Sequence, residues 1–114
     1  MNIRTKRVYE APAKGDGARI LVDRLWPRGF SKEKAQVDLW LKDIAPSTAL
    51  RKWFAHDVAK WDEFRRRYAR ELDANADAVE TLRAHAGRGA VTLVYGAKDE
   101  EHNQAAVLEA YLTD

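Results

Sequence analysis

The chain has 114 residues, of which 46% are hydrophobic and 33% charged, and this is typical of one folded domain, expected to span residues 1–114. The absence of cysteine excludes a disulfide framework, a zinc–thiolate site, an iron–sulfur cluster and a thiol nucleophile. The net charge of +2 conceals an asymmetry, because residues 1–70 hold 17 Lys and Arg against 9 Asp and Glu, whereas residues 71–114 hold 3 against 9. We therefore expect an anionic partner to bind the basic amino-terminal region.

The amino-terminal third predicts two strands. Residues 3–9 are partly β-branched and end at a cluster of Pro and Gly. Residues 18–26 carry consecutive apolar residues at their centre, which indicates a strand covered on both faces. Pro27 and Gly29 then turn the chain into a shaped loop. Residues 35–45 fit either an extended chain or a helical turn, and we expect an extended segment.

The remaining chain predicts four helices and one strand. Ser47 follows Pro46 and is placed to cap a helix that begins there. Helices are expected over residues 60–74 and 77–86, a buried strand over residues 90–95, and a last helix over residues 100–112 with acidic residues in its first turn. Because a helical crossover precedes the final strand, this order favours parallel pairing. The predicted fold class is α/β, a small and mostly parallel sheet with helices packed on it.

Ligands of open α/β sheets bind beyond the carboxyl ends of the strands, and the loop after residues 18–22 carries Asp23, Arg24, Trp26 and Arg28. Arginine grips phosphate or carboxylate with two parallel hydrogen bonds, so this loop is a candidate anion-recognition site. The alternative is that Asp23 pairs with an arginine and only anchors the loop.

A second candidate loop follows residues 90–95. A turn through Gly96 directs backbone N–H groups outward and Lys98 adds positive charge, which suits a phosphate-like group. His102 and Asn103, together with Asp23, are the candidate catalytic residues for proton transfer or orientation. Asn103 has an alternative role as a helix cap or a buried anchor.

The residues of the same loop also resemble metal ligands, since residues 99–102 hold three acids and a histidine. Acidic residues are what any first helical turn prefers, so we predict no metal site, and no motif predicts a cofactor. Ser47 and Arg51, at the helix start after Pro46, complete the predicted anion site. Ser47 lacks the surroundings of a nucleophilic serine and fits a cap.

Residues 65–67, together with Arg70, form a run of arginines that suggests contact with nucleic acid phosphates. The neighbouring acids Asp62, Glu63 and Glu71 favour a solvated helix face instead, and no nucleic-acid-binding motif accompanies the run. A protein-interaction domain would require an exposed aromatic patch around the tryptophans.

Four segments together resemble the YeaO-like branch of the bacterial family called domain of unknown function 488. They are RILVDRLWPRG (residues 19–29), WLKDIAPSTALRKWF (40–54), FRRRYAREL (64–72) and TLVYGAKDEEHNQAAVLEAYL (92–112). The resemblance implies a small cytoplasmic α/β domain and supplies no catalytic residues. Other branches carry cysteines near the final strand, where this chain has Tyr95 and Ala97, which argues against shared thiol chemistry.

These observations favour a small cytoplasmic enzyme or ligand-binding domain that handles an anionic, phosphate-like substrate at the strand ends. Whether it catalyses a reaction stays open. No segment is long and apolar enough for a signal peptide or a membrane span, so we expect no membrane partner. The alternatives are a nucleic-acid-binding module that uses the basic amino-terminal region and a protein-interaction domain.

Overall fold

A parallel four-stranded sheet lies at the centre of the structure, a computed structural model that describes residues 2–113. The spatial order is β1-β4-β2-β3, and the strands are β1 (Ile3–Arg7), β2 (Ala18–Leu21), β3 (Leu39–Trp40) and β4 (Val91–Tyr95). All three pairings are parallel, and Leu21 is in register with both Val94 and Trp40. The predicted α/β class and parallel pairing are confirmed.

Five helices accompany the sheet: α1 (Lys32–Ala35), α2 (Thr48–Phe54), α3 (Trp61–Asp73), α4 (Ala76–Arg88) and α5 (Gln104–Thr113). Three single turns of 3₁₀-helix occupy Lys14–Asp16, Lys42–Ile44 and Val58–Lys60. The predicted helices over residues 60–74 and 77–86 correspond to α3 and α4, and α4 continues through Gly87 to Arg88. The periodic apolar residues predicted both helices because each helix buries one apolar stripe in the first core cluster.

Helices α2 to α5 cover one face of the sheet, and α1 with the loop before it covers the other. Ile20 of β2 belongs to the first core cluster and Leu21 to the second, so adjacent residues of this strand point to opposite faces. Both side chains are fully buried. The prediction of a strand covered on both faces is confirmed.

Strand β2 is shorter than the predicted segment 18–26. The backbone N–H of Val22 still bonds to the carbonyl of Val94 at 3.0 Å, but the chain then leaves the sheet. It leaves where the Asp23 side chain binds the loop after β4 and the Arg24 side chain binds the segment before α2. These two polar side chains tie the loop to other parts of the fold rather than to a neighbouring strand.

The segment over residues 35–45 is only partly extended, because β3 contains two residues between α1 and a 3₁₀ turn. Helix α1 was not predicted. Ser31 caps it by accepting a hydrogen bond from the Lys34 N–H at 3.1 Å, and Gln36 ends it with a φ of 47°. A four-residue helix contains too few residues to show an apolar period.

The last helix begins at Gln104, so its predicted start at residue 100 was wrong. The carboxylate of Asp99 accepts hydrogen bonds from the backbone N–H groups of Glu101 and His102, at 2.9 and 3.0 Å, and closes a separate turn. The Asn103 side chain then accepts the N–H of Ala106 at 3.0 Å and caps α5. The acidic residues thus lie before the helix and outside its first turn.

Candidate functional site

A cavity of about 450 Å³ opens at the carboxyl edge of the sheet. It lies among the loops that follow β1, β2 and β4 and the segment that contains α2. Strands β2 and β4 are parallel neighbours, so the loops that follow them lie side by side. The parallel topology therefore places the two polar loops on one cavity.

Six of the nine candidate residues line this cavity: Asp23, Arg24, Arg28, Arg51, His102 and Asn103. The other three, Trp26, Ser47 and Lys98, lie outside the lining. The cavity thus joins the loop after β2, helix α2 and the loop after β4.

Asp23 lies at the centre of this arrangement. Its Oδ2 accepts a hydrogen bond of 2.9 Å from the backbone N–H of Gly96, and its Oδ1 accepts one from Nε2 of Gln104. Burial raises the pKa of Asp23 to about 6, although these two hydrogen bonds and the positive charge of Arg51 act in the opposite direction. Functional sites commonly contain a carboxyl group that lies in a cleft and has a perturbed pKa.

The guanidinium group of Arg24 is partly engaged within the protein. Its Nε donates to the carbonyl of Pro46 at 3.2 Å and its Nη2 donates to the carbonyl of Ala45 at 3.1 Å. Arg24 thereby holds the segment before α2 against the loop after β2. It contributes positive charge to the cavity and shapes its wall.

Arg28 and Arg51 differ from Arg24 because both are exposed to solvent while lining the cavity. Arg51 lies one turn into α2, and Lys52 beside it also lines the cavity. Asp23 is the one carboxylate among the lining residues, so positive side chains outnumber negative ones. The cavity therefore has the charge that an anion requires.

Ser47 fixes the start of α2 from outside the cavity. Its hydroxyl accepts the N–H of Leu50 at 3.1 Å and donates to Oε2 of Glu71 at 2.6 Å. Its own N–H donates to Oε1 of Glu71 at 2.8 Å. This geometry gives Ser47 the capping role that the sequence also allowed, and it positions Arg51 one turn later.

Trp26 and Lys98 flank the cavity without lining it. The Trp26 Nε1 donates to the carbonyl of Phe30 at 2.6 Å, and its ring packs edge-on against Trp40 with centroids 5.4 Å apart. Trp26 therefore stabilises the loop that carries Arg28. Lys98 is exposed in the loop after β4.

His102 and Asn103 both line the cavity, but their side chains make different contacts within the protein. The buried Asn103 caps α5, and its Nδ2 donates to the carbonyl of Asp99 at 2.9 Å. The His102 Nδ1 lies 2.9 Å from Oδ2 of Asp99, and its ring contacts Trp61 edge-on at 5.1 Å. Backbone hydrogen bonds, followed by the His102 side chain, hold the pKa of Asp99 below its usual value. A carboxylate that orients a histidine is an arrangement used in proton transfer.

Sequence reasoning missed Gln104 and His56, which also line the cavity. Gln104 is the first residue of α5, and its position directly after the candidate Asn103 is the sequence feature that could have identified it. His56 and the preceding Ala55 both adopt left-handed backbone conformations, with φ of 58° and 47°. Neither is glycine, so the sequence gives no sign of this turn, although such strain is frequent at functional sites.

Within residues 2–113, no group of three or more His, Asp or Glu side chains is arranged to hold a metal ion. No helix of this part of the chain has the length and apolar character needed to cross a bilayer. In α3, Arg65 pairs with Asp62 at 2.6 Å, and Glu63 pairs with Arg66 and Arg67 at 2.8 and 2.9 Å.

The fold and the cavity define a small parallel α/β domain with a basic pocket at the carboxyl edge of its sheet. The chain belongs to the domain of unknown function 488 family, because the family model described as the inactive DUF488-N3 subclade matches residues 2–114. This confirms the resemblance found in the sequence.

Relatives of similar length support the family assignment. Uncharacterized protein YeaO of Escherichia coli K12 is 45% identical over 112 residues, which cover 98% of this chain and 97% of YeaO. Uncharacterized protein Rv3073c of Mycobacterium tuberculosis H37Rv is 44% identical over 110 residues, which cover 96% of this chain and 92% of that protein. No solved structure matches the chain significantly.

Proposed function

We propose that this domain binds a small anionic, phosphate-like ligand in the cavity at the carboxyl edge of the sheet. We further propose that it does not catalyse a reaction of this ligand. The observation that carries the proposal is that Arg28 and Arg51, from two separate segments, line one cavity and are both exposed. Two guanidinium groups supplied to one cavity by different segments suit the several oxygens of a phosphate group.

The dimensions and charge of the cavity support a small ligand. Its volume of about 450 Å³ falls within the range of small-molecule sites. The lining holds four basic residues, Arg24, Arg28, Arg51 and Lys52, and one carboxylate, that of Asp23. An anion that enters the cavity therefore meets a lining with a net positive charge.

Two observations support binding without catalysis: the description of the family model, and the hydrogen bonds that the polar side chains already make within the protein. The matching family model is described as an inactive subclade. Asn103 is committed to capping α5, and the carboxylate of Asp23 already accepts hydrogen bonds from Gly96 and Gln104. If the domain were instead an enzyme, the hydrogen-bonded pair of Asp99 and His102 would be the arrangement suited to proton transfer.

Nucleic-acid binding receives less support. Three arginines of α3, Arg65, Arg66 and Arg67, form ion pairs with acids of the same helix. These pairs reduce the positive charge that the helix can offer to phosphates. Arg28, Arg51 and Lys52 of the cavity lining are exposed and take no part in these pairs.

Isothermal titration calorimetry with methyl phosphate at low ionic strength tests the proposal. We expect saturable binding by the wild-type protein and an affinity about tenfold lower in Arg28→Ala and in Arg51→Ala, because each removes one charge-assisted contact. Arg88→Ala is the matched control, since this exposed arginine ends α4 outside the cavity lining and should leave the affinity unchanged.

Two outcomes contradict the proposal. One is the absence of binding at millimolar methyl phosphate, and the other is an equal loss of affinity in all three arginine variants, which would indicate a diffuse charge effect. Methanol released from methyl phosphate, detected by proton NMR in the wild type and lost in His102→Ala, would replace the binding proposal with an enzymatic function.

A further inference from the structure

Exposed hydrophobic side chains border the same cavity. Among residues 2–113, four large hydrophobic residues are exposed, and two of them, Tyr9 and Leu25, line the cavity. Tyr9 is 54% exposed and Leu25 is 66% exposed. A ligand that covers hydrophobic side chains at the opening of a polar cavity removes their apolar surface from water, and this favours binding.

The ring of Tyr9 is held in place by its neighbours. The Arg7 guanidinium carbon lies 4.7 Å from the ring centroid, and Phe30 packs edge-on with centroids 5.0 Å apart. Arg7 itself is fixed, because its Nε donates to the carbonyl of Ala97 at 2.9 Å. Tyr9 is therefore a positioned aromatic surface that loses little conformational freedom when a ligand packs on it.

The inner wall of the cavity is also partly apolar. Phe54 and Phe64 line it, and their rings stack with centroids 4.2 Å apart. Both are buried, at 5% and 2% exposure, so their rings form a fixed wall. A phosphate group bound at Arg28 and Arg51 would occupy only part of a cavity of about 450 Å³. The remaining space adjoins hydrophobic side chains.

We propose that the ligand is a phosphate ester with a planar hydrophobic ring, whose phosphate binds Arg28 and Arg51 and whose ring covers Tyr9 and Leu25. This inference rests on the proposed function and adds the chemical class of the ligand body. Aromatic rings recognise planar ligands by offset or edge-on packing, and the positive side chains fix the orientation of the phosphate.

The test compares two esters that differ only in the ligand body, methyl phosphate and phenyl phosphate, by calorimetry at pH 8, where both are dianions. The wild-type protein should bind phenyl phosphate at least tenfold more tightly, since the ring buries apolar area that the methyl group lacks. In Tyr9→Ala and in Leu25→Ala this preference should fall to threefold or less, while the affinity for methyl phosphate stays the same. Val58→Ala is the matched control, because Val58 is 52% exposed and lies outside the cavity lining.

The outcomes separate this inference from the proposed function. Equal binding of both esters, with loss of binding in Arg28→Ala, overturns the inference and leaves the proposed function standing. A preference for phenyl phosphate that persists in both Tyr9→Ala and Leu25→Ala also overturns it. Binding of neither ester overturns the proposed function and the inference together. Tyr9 and Leu25 are exposed, so their variants should fold, and circular dichroism spectra verify this.

Discussion

The carboxylate of Asp23 accepts a hydrogen bond of 2.9 Å from the backbone N–H of Gly96, and this contact joins the loop after β2 to the loop after β4. The two residues are 73 positions apart in the sequence. The other carboxylate oxygen accepts a hydrogen bond from Gln104 at the start of α5. One partly buried side chain therefore sets the relative positions of two loops that line the cavity.

Gly96→Ala tests this contact. An added Cβ would lie 2.9 Å from Oδ2 of Asp23, closer than real contacts allow, and the carboxylate is held in place by Gly96 and Gln104. We expect the free energy of unfolding to fall by about 1–3 kcal/mol, as for other overpacked sites. Urea denaturation measures this change, and the affinity for methyl phosphate should fall as well because the Asp23 loop must shift.

Gly87→Ala is the control for that experiment. Gly87 lies within α4 and has no heavy atom within 4 Å of the added Cβ. Alanine in a helix loses less backbone entropy on folding than glycine, so this variant should be more stable by about 0.5–1 kcal/mol. A Gly96→Ala protein as stable as the wild type would show that the Asp23 loop adjusts freely.

Asp23 makes the stability of the protein depend on pH in a defined direction. Its pKa is raised from an ordinary value of 3.8 to about 6 in the folded protein. Between these values the folded state retains a proton that the unfolded state has lost, so this contribution to stability is complete below pH 4 and is lost as the pH rises through 6.

Asp23→Asn isolates this contribution because the amide stays neutral at every pH. The free energy of unfolding of the variant relative to the wild type should rise by roughly 2–3 kcal/mol between pH 4 and pH 7.5, as expected when folding raises a pKa from 3.8 to about 6. Urea denaturation of both proteins at several pH values gives this difference. A difference that is constant with pH would show that folding does not raise the pKa of Asp23.

Ser47→Ala distinguishes a capping residue from a ligand residue. The variant loses the cap on the Leu50 N–H and the hydrogen bond to Glu71, so it should be destabilised by about 1–2 kcal/mol. Its affinity for methyl phosphate should fall less than that of Arg51→Ala, because Ser47 lies outside the cavity lining and acts only through the position of Arg51. Ser31→Ala, which removes the exposed cap of the four-residue α1, should be less destabilising. A weaker ligand affinity with unchanged stability would place Ser47 in the binding site.

The sequence by itself determined the class of fold and the position of its polar loops. Apolar runs such as residues 20–22 and 93–95 identify buried strands, because a strand covered on both faces favours apolar side chains on both of them. The three helices predicted between them form a crossover, which favours parallel pairing. The cap at Ser47 was also readable, since capping depends on residues three positions apart. These features follow from local chemistry.

The tertiary structure decided which polar residues converge. Arg24 reaches the carbonyls of Ala45 and Pro46, and Asp23 meets Gly96 and Gln104, all through contacts between segments far apart in the sequence. The predicted start of α5 was wrong because acidic residues that follow a glycine are compatible with a separate turn as well as with the first turn of a helix. Sequence spacing fixes which way a side chain points within one element. It does not fix the distance between side chains of different elements, which depends on how the helices and loops pack on the sheet.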